Sequence, residues 1–517
     1  MASKTLFRSL VGKLLPKIDA KNSAGAPAYA LSPKHALAQY AATGCVSSTF
    51  YASAEDQLTK VLELCDKVEP EFIARTALFA RERGFMKDLP ALLCAVLASK
   101  SPGLMAEVFV RAIDDARMLR NFVQIIRSGV TGRKSLGTLP KRMIHQWLDA
   151  RSDAALFRSS VGNDPSLADI VKMTHPKPTS ESRKALYAYL IGRPYDAAHL
   201  PELVMEYEGF KAGTSTTVPD VPMLMLTALD LNKGQWMDIA RRAPWQTLRM
   251  NLNTFARHGV FDDKRLTRTL ADKLADAKEI EKAKVFPYQL LTAYVQTETG
   301  VPTIVRETLQ DAMEIALKNV PRIDGKVYIC PDVSGSMQSA ATGARPGATS
   351  VVRCIDVAAL LAAAMLRTNT RAEVIPFEQD VVDLALNSRD SVMTNAAKLA
   401  GIGGGGTNCS APLAMLNRKK AEGDVVIYVS DNESWVDAKG GRGTGLMREW
   451  EAFKYRNQEA RLVCIDIQPN ATTQAVERPD VLNIGGFSDQ VFRLIDDFVN
   501  DRMNRDHWVG VIEAERL

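Results

Sequence analysis

Two carboxylates and three hydroxyls, Asp332, Ser334, Ser336, Thr407 and Asp431, form the side-chain set in this chain best suited to a hard divalent cation. The first three lie in Asp332-Val333-Ser334-Gly335-Ser336; Thr407 follows a glycine run and Asp431 follows a serine. Mg²⁺ prefers oxygen donors and keeps several waters, so a site with only two carboxylates leaves a position for a carboxylate of a protein ligand. The competing reading is that the serines and aspartates cap the helix after the first strand and bind nothing. Thr407 and Asp431, expected at two other strand ends, favour the cation.

The elements that must position these residues are those of a doubly wound α/β domain. Lys326-Val-Tyr-Ile-Cys-Pro-Asp332 reads as a buried strand, with further strands at 372–376, 425–430 and 461–467 and helices at 353–367, 410–418, 446–457 and 488–503. The motif then sits at the carboxyl end of a parallel sheet, where such folds bind ligands. Gly401-Ile-Gly-Gly-Gly-Gly406 permits backbone angles closed to other residues, which lets the Thr407 loop fold over the cation. No lysine follows in P-loop spacing, which excludes a nucleotide phosphate cradle of that kind. Residues 337–349, rich in Ala, Gly and Ser, read as a flexible insertion.

Before residue 320 the pattern is different: amphipathic helices separated by short Pro or Gly breaks. They are expected at 71–83, 91–98, 104–126, 140–148, 182–191, 221–231, 233–242, 247–258 and 263–281, with strand-like alternation nearly absent. Helices with one apolar stripe each must stack, as in a HEAT or armadillo solenoid; without a clean repeat period, a compact irregular helical domain stays open. The 517 residues suit two or three domains. Seven scattered cysteines with no CxxC pair read as buried thiols of a reducing cytoplasm. No apolar run is long enough to span a bilayer; the start is basic, Arg8 and Lys13 interrupt the apolar run a secretory signal would need, and it reads as a solvated tail.

Charge is unevenly divided. Residues 1–320 carry 43 Lys+Arg against 34 Asp+Glu, or +9; residues 321–517 carry 22 against 26, or −4. Any polyanion is therefore expected on the front portion. Between Arg117 and Trp147 there are seven basic residues (Arg117, Arg120, Arg127, Arg133, Lys134, Lys141, Arg142) and no acidic one. Such a cluster serves phosphate binding, or is merely a solvated helix face. Lys172, His175 and Lys177 lie in a Pro-punctuated turn whose imidazole and ammonium groups suit a base and a phosphate. No HExxH or G-x-S-x-G is present, the DxSxS loop lacks the second carboxylate of aspartate phosphatases, and Glu433 reads as a solvated loop residue, so the chain is not read as an enzyme.

The motifs DVSGSM at 332–337, GGGTNCSAP at 404–412 and SDNES at 430–434 resemble the von Willebrand factor A (vWA) domain of the Ro autoantigen family. The segments AGAPAYALS at 24–32, STFYASAEDQLT at 48–59, RSGVTGRKSLGTLPKR at 127–142, KMTHPKP at 172–178 and PWQTLRMNLNTFARHG at 244–259 are similar to that family's helical TROVE ring. The resemblance implies a tail over 1–20, a HEAT-like RNA-binding ring over 21–322, and a vWA-like domain over 323–517 that closes the ring. It implies that Asp332, Ser334, Ser336, Thr407 and Asp431 form a metal-ion-dependent adhesion site for Mg²⁺. It further implies Y-type noncoding RNA on the outer surface and misfolded RNA 3′ ends in the central hole. An exoribonuclease such as polynucleotide phosphorylase is the implied partner, the setting is cytoplasmic RNA quality control, and no membrane is involved. The RNA-binding residues are then Arg127, Arg133, Lys134, Lys141, Arg142, Arg158, Lys172, His175 and Lys177. The alternative is a metal-dependent protein-interaction module, chelatase-like or adhesive, on a helical scaffold without RNA.

Overall fold

A computed structural model describes the chain except residues 1–14, 44–51, 163–164, 284–286, 318–319, 342–351, 437–442, 488 and 504–506. Much of the expected insertion at 337–349 lies outside the described residues. The chain divides into two compact units. One comprises Met1–Phe72, Phe286–Thr292 and Ala316–Arg516; the other comprises Ile73–Val285, Ala293–Ile315 and Leu517. Residues 21–72, which the resemblance put with the helical portion, group by compactness with the sheet.

The strands are β1 Ala20–Lys21, β2 Pro27–Ala30, β3 Val327–Pro331, β4 Ala372–Val374, β5 Val425–Ser430, β6 Arg461–Asp466, β7 Thr472–Thr473 and β8 Val481–Gly485. Five form a wholly parallel sheet in the order β4-β3-β5-β6-β8. Every residue of β3, β5 and β8 is buried, which is why they read as unbroken apolar runs rather than alternating ones. The helix Cys354–Thr368 is buried over nearly its whole length, and Tyr328, Phe377, Tyr428, Trp450 and Phe453 share a hydrophobic core with residues of the sheet. From β3 the chain crosses to β4 on one side, and from β5 it crosses to β6 on the other. The loops after β3 and β5 therefore diverge, opening a crevice at their carboxyl ends.

β1, β2 and β7 form a separate antiparallel sheet, with Ala20 opposite Ala28 and Tyr29 opposite Thr473. This hairpin was not foreseen: strands of two and four residues are too short for period-two alternation to register.

The other unit is helical, and successive helices stack. Asp88–Lys100 packs on Pro102–Ala112 and Ala116–Ser128, and Pro102–Ala112 packs on Thr138–Asp149. Ala116–Ser128 and Thr138–Asp149 both meet Leu167–Thr174. The expected helix 104–126 is two, because the Asp115 side chain accepts from Met118 N and starts a new helix. The expected 247–258 breaks at Asn251, and 263–281 breaks after Leu274. Of 221–231, only Met223–Leu226 is helical. Among the described residues, no helix is long and apolar enough to cross a membrane.

Candidate metal centre and nucleic-acid interface

Asp332 follows the last residue of β3 and Asp431 the last residue of β5, on either side of the crevice. All five candidate ligands are buried. Asp332 Oδ1 accepts from Ser334 N at 2.8 Å and Oδ2 from Ser430 Oγ at 2.6 Å. The three hydroxyls converge: Thr407 Oγ1 donates to Ser334 Oγ at 3.0 Å, and Ser334 Oγ lies 3.3 Å from Ser336 Oγ. The structure thus brings the predicted set together from three loops.

Thr407 reaches this point because the glycine run is sewn to the first loop. Gly404 N donates to Val333 O at 2.9 Å, and Gly335 N to Gly405 O at 2.9 Å. Gly403 is at φ +86°, and a Cβ there would stand 2.0 Å from Val333 O, so only glycine permits the approach.

Neither carboxylate oxygen of Asp431 has a hydrogen-bond partner of good geometry, although the Ser336 hydroxyl and Glu433 amide lie close enough to lower its pKa. Burial nevertheless raises the Asp431 pKa. Burial, reinforced by the Asp431 charge, pushes the Asp332 carboxyl up to about 7. Two buried carboxylates, one of them without a well-placed donor, form a poor hydrogen-bonding arrangement and a good half-shell for a cation. Among the described residues no cluster of three His, Cys, Asp or Glu side chains could hold a metal; this set has two carboxylates and hydroxyls, the donors of Mg²⁺ rather than Zn²⁺. The residues fit a hard divalent cation. Asp332, Ser334, Ser336, Thr407 and Asp431 would hold it, and bound there it would supply an electrophilic point for an anionic oxygen.

Glu433 is not the solvated residue expected. It is buried, it accepts from Ser23 N at 2.8 Å and from Ala24 N at 3.4 Å, and burial beside Asp431 pushes its carboxyl up to about 7. Asn22 Nδ2 donates to Ser434 O at 2.7 Å, so the turn between β1 and β2 is pinned to the Asp431 loop. Sequence reasoning also missed Asp466, which ends β6 and is bonded by Asn432 Nδ2 at 3.3 Å. Burial drives its pKa well above the ordinary value. A carboxylate at a third strand end was the available signal.

The basic residues of the helical unit separate by direction. Arg133 turns inward, donating to Ser135 O, Ala98 O and Leu136 O at 2.9, 2.7 and 2.8 Å. Arg158 is committed to the backbone and carboxylate of Asp220. Arg117 lies 3.6 Å from Asp88, and Arg120 reaches Ser159 O. The seven-residue cluster is therefore not one face: part of it is structural.

What remains exposed includes Arg127, Lys134, Arg142, Lys172, His175 and Lys177, with Lys141 half-buried. Arg127 and Lys172 lie in the last turns of two helices; hydrogen bonds from Ser166 chiefly lower the pKa of Asp169, and the charges of Lys172 and Arg127 add to the lowering, so both approach one carboxylate. His145 Nε2, on the helix bearing Lys141 and Arg142, bonds Thr174 O at 2.9 Å, which seats that helix against the His175 turn. His175 has φ 51° and closes its helix in the left-handed conformation, with buried Pro176 fixing the turn.

A family model described as the Ro60 vWA domain matches residues 326–499. The chain is 24% identical over 467 residues to an RNA-binding protein RO60 of Deinococcus radiodurans, covering 82% of this chain and 85% of that protein. The chain is thus similar to Ro proteins over most of its length, and its sheet portion is similar to their vWA domain. A second RNA-binding protein RO60, from Caenorhabditis elegans, is 23% identical over 278 residues, 50% of this chain and 41% of that protein. The crystal structure of the Deinococcus radiodurans RO (RSR) protein superposes with a TM-score of 0.61 at 19% identity, over 91% of this chain and all of that one. The fold is thereby a helical-repeat portion together with a vWA-like parallel sheet.

Proposed function

We propose that this chain is a member of the Ro family, binds RNA through the exposed basic surface of its helical unit and docks a protein through a cation at the carboxyl end of its sheet. The observation that carries the first part is the placement of Arg127, Lys141, Arg142, Lys172 and His175 on the helix Leu167–Thr174 and its cap and on the two helices, Ala116–Ser128 and Thr138–Asp149, that each pack against it. Such a surface neutralises phosphates while leaving an imidazole to stack on an unpaired base. The relatives named RNA-binding proteins support the same reading. The RNA is a small structured noncoding RNA of the Y type, with single-stranded 3′ ends of misfolded RNA as a second class. The chain acts in cytoplasmic quality control beside an exoribonuclease such as polynucleotide phosphorylase, and it has no catalytic step of its own.

The docking part rests on the unsatisfied Asp431 carboxylate, whose simplest satisfaction is a divalent cation, most suitably Mg²⁺. The alternative, a metal-dependent interaction module without RNA, differs in what copurifies. Purification without nuclease treatment should recover a discrete small RNA that is lost on reversing charge at Lys134, Lys141 and Lys172. Affinity should fall steeply with salt, the logarithmic slope dropping by about 1 per phosphate-contacting lysine removed. A flat salt response, or no bound RNA beside a Mg²⁺-dependent protein partner, would leave only the alternative.

A further inference from the structure

The protein has six tryptophans. Trp147, Trp236, Trp245, Trp450 and Trp508 are buried, whereas Trp435 is 48% exposed and its neighbour Val436 37%. This apolar pair adjoins the candidate cation site. It begins four positions after Asp431, and Trp435 N and Val436 N both donate to Thr407 O at 3.1 Å. The indole lies against Gly406, where a Cβ would meet Trp435 Cζ2 at 2.6 Å and Val436 Cγ2 at 2.9 Å.

The backbone that carries the pair is fastened on two sides. Asn22 Nδ2 bonds Ser434 O at 2.7 Å, Ser434 Oγ accepts from Cys409 N at 3.0 Å, and Glu433 holds the backbone amides of Ser23 and Ala24. An exposed indole on a frame this constrained loses little freedom when covered, the condition under which aromatic side chains dominate an interface. Nothing in the cation chemistry uses it.

We propose that the ligand completing this site is an acidic protein loop in which an apolar or aromatic residue neighbours the coordinating carboxylate and is received by Trp435 and Val436. This rests on the cation reading above. A protein is favoured over nucleic acid because Val436 widens the indole into an apolar wall rather than a stacking platform. The cation also attracts one carboxylate locally, whereas the net −4 of residues 321–517 (22 Lys+Arg against 26 Asp+Glu) opposes an extended polyanion more strongly than a single acid group. The carboxylate supplies the bond to the cation and the adjoining side chain supplies selectivity.

The test uses the full chain and three probes: Mn²⁺, followed by electron paramagnetic resonance; the capped peptides N-acetyl-Asp-amide and N-acetyl-Asp-Phe-amide, with Mg²⁺ present; and acrylamide quenching of tryptophan, to which Trp435 is the accessible contributor. The Asp-Phe peptide should bind about tenfold more tightly than the Asp peptide, as burial of a ring against apolar surface allows, and should shield Trp435 from quenching. Trp435→Ala should abolish that preference while Mn²⁺ binding is unchanged. Equal affinity of the two peptides with Mn²⁺ bound overturns the proposal and leaves the cation site standing. Absence of Mn²⁺ binding removes the cation reading and the proposal with it. Stronger shielding of Trp435 by a short oligouridylate than by the Asp-Phe peptide overturns it in favour of RNA.

Discussion

Thr407 Oγ1 donates to Ser334 Oγ across 3.0 Å, joining hydroxyls 73 residues apart in a pocket walled by two buried carboxylates. Removing either hydroxyl weakens a cation held there without touching the sheet beneath. Thr407→Ala and Ser334→Ala should each lower Mg²⁺ affinity about tenfold or more while moving the unfolding transition by no more than a few degrees, measured by calorimetric titration and thermal denaturation. Unchanged affinity in both variants would mean that the hydroxyls only brace the loop.

Burial disfavours the charged form of Asp431 when no cation is present. Asp431→Asn should therefore raise the melting temperature of the metal-free protein and abolish the further rise that Mg²⁺ produces in the parent. Destabilisation of the metal-free protein by this change would show that the carboxylate is already satisfied.

The pH dependence of the site has a defined sign. Burial raises both Asp332, to about 7, and Asp431 above their unfolded values, so the folded metal-free protein holds protons more tightly than the unfolded chain. That stabilisation is present at low pH and is lost as pH rises through about 7. A cation must displace those protons, so Mg²⁺ affinity should fall by up to about tenfold per unit as pH drops below 7 for each proton displaced. Titrations at pH 6 and 8, in buffers of different ionisation enthalpy, count the protons released.

Arg133 and Lys172 should separate cleanly. Arg133→Ala leaves the backbone carbonyls of Ala98, Ser135 and Leu136 without their donor and should cost about 2 kcal/mol of stability. Lys172→Ala, at an exposed position, should leave stability within about 0.5 kcal/mol and reduce the salt slope of RNA binding by about 1. Chemical denaturation and filter binding distinguish the two, and equal effects on both quantities would refute the division.

Glu477 Oε1 sits 4.0 Å from His35 Nε2 and 3.9 Å from His507 Nε2, between the helices Pro33–Thr43 and His507–Glu513. Burial pushes its carboxyl up to about 7, against the hydrogen bonds from Asn483. Its folded pKa is raised, so its contribution favours the fold below its unfolded pKa and is lost as pH climbs through about 7. Glu477→Gln should flatten the stability profile between pH 6 and 8 by on the order of 1–2 kcal/mol, read from denaturation midpoints. An unaltered profile would place the titration elsewhere.

Asp332, Ser334, Ser336 and Asp431 were legible because they follow strands whose apolar runs are conspicuous, and strand ends in a parallel sheet share one edge. Thr407, expected at a strand end, instead lies in the loop between the helices Val392–Ala400 and Ala411–Arg418. Asp332 and Asp431 needed no knowledge of packing beyond that rule. Glu433 was misread because its burial depends on a hairpin more than 400 positions away: Ser23 and Ala24 cover it, and no local pattern announces the contact. Arg133 and Lys134 look equivalent as neighbours in the chain. One guanidinium folds onto carbonyls while the adjacent ammonium stays in solvent, a distinction set by how the segment after Gly129 turns.

The sequence by itself determined the oxygen donors, the alternation of buried strands and helices that brings them to one edge, and the basic surplus of the front portion, because residue type and periodicity are local properties. Only the tertiary structure decided which charges face water, that Asp431 has no well-placed donor, and that residues 20–30 brace the loop beside it. Those outcomes follow from desolvation and from hydrogen bonds between distant segments, whose partners exist only once the chain has folded.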